Sequence, residues 1–369
     1  MNKKIEVGVF LPVGKNGWIH SMNTPYTPGT FDHVLEVTKK AEAWGYDFVL
    51  SPAIWRGLRG PSEHWMVSLE SVTTSAALLQ ATERIKVMTT AHMTVYPPAT
   101  IAKMITTLDQ IGPGRVGLNL VTGASYLDLS HVGLWKEELS HGDRYRLGDE
   151  WISLVKRLWT EPVVTHKGEF FETNEGTMGP KPSVMPTLVN AGSSPRGLKF
   201  AAENCDIAFV VASDEPIYIE SAKRAKSIAK ELNKPAVRTF GLMQLVPAET
   251  DEEAQALLEH FNAGVDSICV DDVRAGYQQN PSNKDVSELS KVVGDDESDA
   301  VPDSAMVGSY ESLARRIANT VLEADLDGVL IIVPDYIKDL DAVSQKLFPL
   351  LEQFGVSSNV GTEFAVAAS

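Results

Sequence analysis

Eight times along the chain, a run of β-branched and apolar residues of strand length is followed by a segment of helical period. The runs cover residues 5–12, 46–51, 84–90, 116–122, 187–191, 206–212, 238–246 and 328–334. Between the first two, Phe31, Val34, Leu35 and Ala41 share one helical face and Gly45 stops the helix. The segment after the third opens on two prolines, which suit a first turn, and ends at Gly112. Strand then helix, repeated eight times, predicts a (β/α)8 TIM barrel. A doubly wound open sheet with a second domain is the alternative, since periodicity alone does not close a ring.

A chain of 369 residues accommodates one such barrel. The reading is a single barrel domain over 1–355, with insertions at about 161–183 and 270–305, and a C-terminal tail at 356–369. The first insertion reads as an irregular or hairpin excursion, and the polar, acidic stretch 280–304 as a surface loop or lid. Long connections at 13–29, 52–69 and 123–142 all follow strands, which places them on the C-terminal face, where barrel active sites form.

Composition removes several function classes. A net charge of −16 argues against nucleic acid and anionic membranes as partners, because both need clustered Lys and Arg. Cys205 and Cys269 are the only cysteines and form no CxxC, so neither a disulfide framework nor a thiolate metal site is expected, and a reducing cytoplasm fits. The eight histidines show no HxH or HExxH spacing, so no metal is expected. The apolar N-terminal run alternates and is read as a strand rather than a signal peptide, and no stretch approaches the ~20 apolar residues of a membrane span.

"GPGRVG" at 112–117 matches GxGxxG but follows a helix and enters a strand, the reverse of a dinucleotide fingerprint. No P-loop and no GxSxG elbow is present. In "TLVNAGSSPRG", strand five turns into a helix through Gly192, Ser193, Ser194 and Pro195. Ser194 suits an N-cap and Pro195 the first turn, with the N–H groups of Gly192 and Ser193 facing outward. Such a helix start favours an anion. Arg144 offers a second phosphate ligand. A plain cap and a surface arginine account for the same residues. Strand three ends with Thr89, Thr90 and His92, and strand four with Asn119, Thr122 and Ser125. These are either satisfied core groups or one site; as a site they hold no strong nucleophile or carboxylate pair, so a bound cofactor would carry the chemistry.

The motifs "VGVFLPVGKNGWIHS", "RIKVMTTAHMTVYPPATIAKM", "DQIGPGRVGLNLVTG", "DRYRLGDEWISLVKRLW", "HKGEFFE", "NAGSSPRG" and "MVGSYESLARRI" span nearly the whole chain. By them the sequence resembles the bacterial luciferase-like superfamily of FMN-dependent monooxygenases, in its pyrimidine oxygenase branch. The resemblance implies a two-component enzyme using O2 and reduced FMN from a separate NAD(P)H flavin reductase. It implies that Ser193 and Ser194 with Arg144 and Tyr145 seat the FMN phosphate. Ala53 and Ile54 would line the isoalloxazine, and Asp128 falls where the pyrimidine enzyme has a longer acid. Thr90 and Asn119 would flank the flavin's reactive edge as neutral donors.

Where the resembled enzyme has a Trp after "VTG" and a Lys in the strand-two segment, this chain has Ala124 and the stretch 52–55. The lost indole implies a substrate bulkier than uracil. A bulky nitrogen heteroaromatic follows, with oxidative cleavage of riboflavin to lumichrome, as in riboflavin lyases, the leading reading. Trp18, His20, Trp55, His64 and Trp65 would supply stacking walls, although loop packing explains them equally. Pyrimidine ring opening, a deazaflavin-dependent oxidoreductase and a non-catalytic flavin-binding barrel are the alternatives, and a homo-oligomer is left open.

Overall fold

All eight runs form strands: β1 (Glu6–Phe10), β2 (Phe48–Ser51), β3 (Lys86–His92), β4 (Val116–Val121), β5 (Thr187–Asn190), β6 (Ile207–Val210), β7 (Arg238–Ala248) and β8 (Gly328–Ile332). This computed structural model describes residues 2–123, 125–211, 215–278 and 299–361. The strands pair in parallel in the order β7-β8-β1-β2-β3-β4-β5-β6, and Arg238 of β7 pairs with Ile207 of β6 to close the ring. The fold is therefore the expected (β/α)8 barrel and not an open sheet. Parallel strands covered on both faces must be apolar throughout rather than alternating. Accordingly β2, β6 and β8 are buried at every position.

Aromatic rings fill the lumen. Phe48, Phe209 and Phe240 meet at centroid distances of 5.7 to 6.3 Å, with Leu50, Met88, Val189, Ile207 and Leu330 around them. Gly8 of β1 makes room, because a Cβ there would lie 2.2 Å from the Phe48 ring. Burying each ring contributes about 1.5–3 kcal/mol.

The helices among the described residues are α1 (Phe31–Ala43), α2 (Ser71–Ala81), α3 (Pro98–Ile111), α4 (Tyr126–Ser130), α5 (His141–Thr160), α6 (Pro195–Asn204), α7 (Glu215–Glu231), α8 (Asp251–Ala263), α9 (Ser267–Gln278), α10 (Tyr310–Glu323) and α11 (Lys338–Ala342), the last continuing as helical turns through Phe354. In α1, Val34, Val37, Thr38 and Ala41 are buried, whereas Phe31 and Leu35 are half-buried. Gly45 follows at φ +82°, the left-handed region that glycine enters freely. Short α4 and α9 pack against each other on the C-terminal face, and none of the helices among the described residues is long and apolar enough to cross a membrane.

The first insertion contains an antiparallel hairpin, Val164–Lys167 with Glu172–Gly176. Glu150 of α5 holds it by accepting the N–H groups of Glu169, Phe170 and Phe171 at 2.9 to 3.0 Å. Of the acidic stretch, 280–298 lies outside the described residues. Its end is not surface loop: Ala300 and Val301 are buried against Ile19, Val246 and Phe261. Past residue 355, Val356–Ser357 pairs in parallel with Lys3–Lys4 and Val360 is buried, so the chain stays packed where a tail was expected; 362–369 lie outside the described residues.

Candidate functional site

At the C-terminal ends of β1 to β4, the following loops enclose a cavity of about 230 Å³. Phe10, Trp18, Leu50 and Ile54 give it apolar walls, and Thr90, His92 and Asn119 a polar strip. Ala53, Ser125 and Asp128 also line it, and Val273 and Tyr277 of α9 reach in from late in the chain. The structure thus unites Ala53, Ile54, Thr90, Asn119, Asp128, Trp18 and Trp65 around one space. Ala124 lies outside the described residues.

Proton accounting fixes the polar strip. Thr90 Oγ1 donates its single proton to the Ser51 carbonyl at 2.7 Å. Toward Asn119 it can then only accept, which it does from Nδ2 at 3.2 Å. The expectation of Thr90 as a donor into the site is corrected accordingly, because β2 already takes its proton. Asn119 is left with a buried Oδ1 that has no partner. Beneath them Ser71, the first residue of α2, donates to the Ser51 carbonyl at 2.7 Å and accepts the Thr90 N–H at 2.8 Å.

Two titratable groups face this strip. Burial pushes His92 down to about 4, so the ring is neutral. Burial pushes the Asp128 carboxyl up to about 6, against the N–H groups of Trp55 and Arg56 and the Arg56 charge. Trp55 does not line the cavity; its indole N–H donates to His92 Nδ1 at 3.1 Å. Trp18 stacks on Phe10 at 4.4 Å and meets Trp65 edge-on at 5.3 Å. His20 and His64 stand behind this wall rather than in it, 4.8 Å apart. Burial lowers both; His20 falls to about 4 despite the nearby Asp266.

A clasp absent from the sequence reading secures α9. Asp272, fully buried, accepts from Arg56, from the Arg59 N–H at 3.1 Å and from Arg59 Nε at 2.7 Å. Burial alone would raise its carboxyl, but these donors hold it below the usual carboxylate range. Asp266 adds an acceptor for the Ser62 N–H at 2.8 Å.

The β5–α6 turn adjoins the far side of β4. Ser194 is the N-cap, accepting from the Gly197 N–H at 3.0 Å, and Pro195 opens the helix. Gly192 departs from expectation: its N–H is taken by Asn190 Oδ1 at 2.9 Å and does not face outward. A glycine is needed because a Cβ would lie 2.8 Å from Gly197 and 2.9 Å from the Tyr145 hydroxyl. Arg144 is no surface residue. It is 3% exposed, lies over the Trp135 ring at 4.9 Å and donates to the Leu139 carbonyl at 3.1 Å. Tyr145, the next residue of α5, is likewise buried and sets its hydroxyl against Gly192 and Gly197 of the turn, whereas the contacts of Arg144 are with Trp135 and Leu139.

The sequence profile of the luciferase-like monooxygenase family matches residues 5–324. The chain belongs to that family. Pyrimidine monooxygenase RutA of Rhizobium rhizogenes is 34% identical over 352 residues, covering 94% of this chain and 96% of its own. Riboflavin lyase RcaE, solved with modified FMN and riboflavin, superimposes with a TM-score of 0.84 at 21% identity over 97% of this chain and 93% of its own. EDTA monooxygenase EmoA of Chelativorans sp. BNC1 follows at 0.77 and 17%, over 97% and 96%. At those identities the two structures establish the shared barrel alone. As a luciferase-like monooxygenase the protein is an oxidoreductase that uses reduced flavin and O2. The cavity fits a planar ring: its faces are apolar, and the buried Asn119 Oδ1, which costs about 1–3 kcal/mol unpaired, awaits an N–H.

Proposed function

We propose that this luciferase-like enzyme is a reduced-FMN- and O2-dependent monooxygenase of a planar nitrogen heterocycle, supplied with reduced FMN by a separate NAD(P)H flavin reductase. The observation that carries the reading is the partnerless Asn119 Oδ1 at the wall of an apolar cavity. Ser193, Ser194, Arg144 and Tyr145 would hold the phosphate, and Ala53 and Ile54 would flank the ring. Bound there, reduced flavin supplies the electrons for O2 activation. The chain's own contribution is orientation and dryness: Asn119 accepts a ring N–H, while Trp18, Trp65 and α9 exclude water.

RutA, named for pyrimidines, supports a pyrimidine-type substrate. Cleavage of riboflavin to lumichrome is the second reading, favoured by Ala124 standing where bulk was expected and by the riboflavin lyase likeness, which is one of fold. Incubation of uracil or riboflavin with enzyme, FMN, reductase and labelled O2, followed by mass spectrometry, separates them. Label in one product is the expected result. Turnover without O2 would instead support a deazaflavin-type hydride transfer, and no turnover a flavin-binding barrel.

A further inference from the structure

His92 ends β3 and lines the cavity, yet neither the phosphate seat nor the Asn119 contact uses it. Its chemistry is set by its neighbour. An indole N–H can only donate, so the 3.1 Å contact from Trp55 makes His92 Nδ1 an acceptor. In a neutral imidazole the proton then resides on Nε2. Nothing among the described residues accepts from that Nε2–H. Around it the cavity offers one free acceptor, the Asn119 Oδ1; the Asp128 carboxyl already accepts the Trp55 and Arg56 N–H groups, and the Arg56 guanidinium, engaged through Nη1 by Asp272 and the Gly57 carbonyl, keeps a partnerless Nε. The free His92 donor and the free Asn119 acceptor, lining one cavity, are the complement of a ring that carries a carbonyl next to an N–H.

We propose that His92 determines substrate specificity by donating Nε2–H to a ring carbonyl oxygen, so that the substrates are cyclic amides. Trp55 acts as a positioning residue, fixing the tautomer through the indole bond and holding the imidazole plane. The inference rests on the monooxygenase reading above and deepens it. It also explains why His92 is buried without a counter-charge: an imidazolium would lose the Trp55 bond and present two donors.

The test uses equilibrium binding of uracil and of riboflavin to FMN-loaded protein, beside FMN titration of each variant. His92→Phe keeps a ring against Trp55 and removes the donor. Weaker binding of the preferred probe by about tenfold, with FMN affinity within about twofold of wild type, is expected. His92→Gln restores an N–H and should recover binding to within about threefold. Trp55→Phe should raise KM while leaving kcat little changed. Wild-type affinity in His92→Phe, loss of FMN in step with the probe, or failure of the FMN-loaded wild type to bind either probe would overturn the proposal. Failure of the monooxygenase reading has a different signature: these binding ratios would stand while no labelled oxygen enters a product.

Discussion

Replacing Asp272 by Asn tests whether α9 is held as the roof of the cavity by a buried charge. Asp272 is fully buried and the Arg56 side chain 8% exposed, so the substitution removes the carboxylate paired with a buried guanidinium and leaves it only the electrostatic influence of Asp128. Removing one partner of a buried pair costs about 3–5 kcal/mol. Because Asn retains one acceptor oxygen for Arg59, the lower end, about 3 kcal/mol, applies. At about 2.1 cal/mol/K per residue, a chain this size has an unfolding entropy near 0.8 kcal/mol/K, so Tm should fall by about 4 °C. The comparison is Arg59→Ala, whose side chain is 70% exposed and whose loss should cost less than about 1 kcal/mol. The Asp272 carboxyl is held low, so the stability it contributes is present above its ordinary range and fades as pH falls through its folded pKa. Thermal unfolding and hydrogen exchange of the α9 amides would measure both effects. If Asp272→Asn matched Arg59→Ala in Tm and left α9 exchange unchanged, the clasp would carry no energy and the reasoning would be wrong.

Other outcomes follow from the same geometry. Asn119→Ala should retain FMN yet lose product, and full activity would remove Asn119 from the mechanism. Ser194→Ala combined with Arg144→Ala should weaken FMN binding by roughly 2–4 kcal/mol, as read by fluorescence titration; an unchanged affinity would move the phosphate elsewhere. Asp128 has its folded pKa raised to about 6, so it binds a proton more tightly folded than unfolded, and its contribution to stability declines as pH rises from about 4 to 6. Asp128→Asn should therefore gain roughly 3 kcal/mol relative to wild type across that window in denaturation series, and a pH-independent difference would contradict the assignment.

Strand positions were legible because burial on both faces demands continuous apolar runs, as in residues 328–332, and the helix-to-strand turn at Gly112 to Val116 was legible from its order of elements. The convergence of Thr90 and Asn119 followed from barrel geometry, since adjacent parallel strands end side by side and the two pair directly. Which atom of each faces the ligand was not legible. That depends on Ser51, whose carbonyl takes the Thr90 proton. Gly192 was misread for a similar reason, as the Asn190 side chain competes for its N–H. The Arg56–Asp272 clasp joins residues 216 apart in sequence, and no local pattern signals such a pair. Trp55 and His92 were visible as residue types, but their donor–acceptor relation needed coordinates.

The clasp also orders events during synthesis. Strands carrying Thr90 and Asn119 leave the ribosome well before residues 266–277, so a nascent chain emerged only as far as β5 has the residues of the floor and of the Trp18–Trp65 wall but not Val273 and Tyr277. Completion of the ligand cavity is consequently a late event for the growing polypeptide, since α9 and then β8, which joins β7 to β1, must both emerge first.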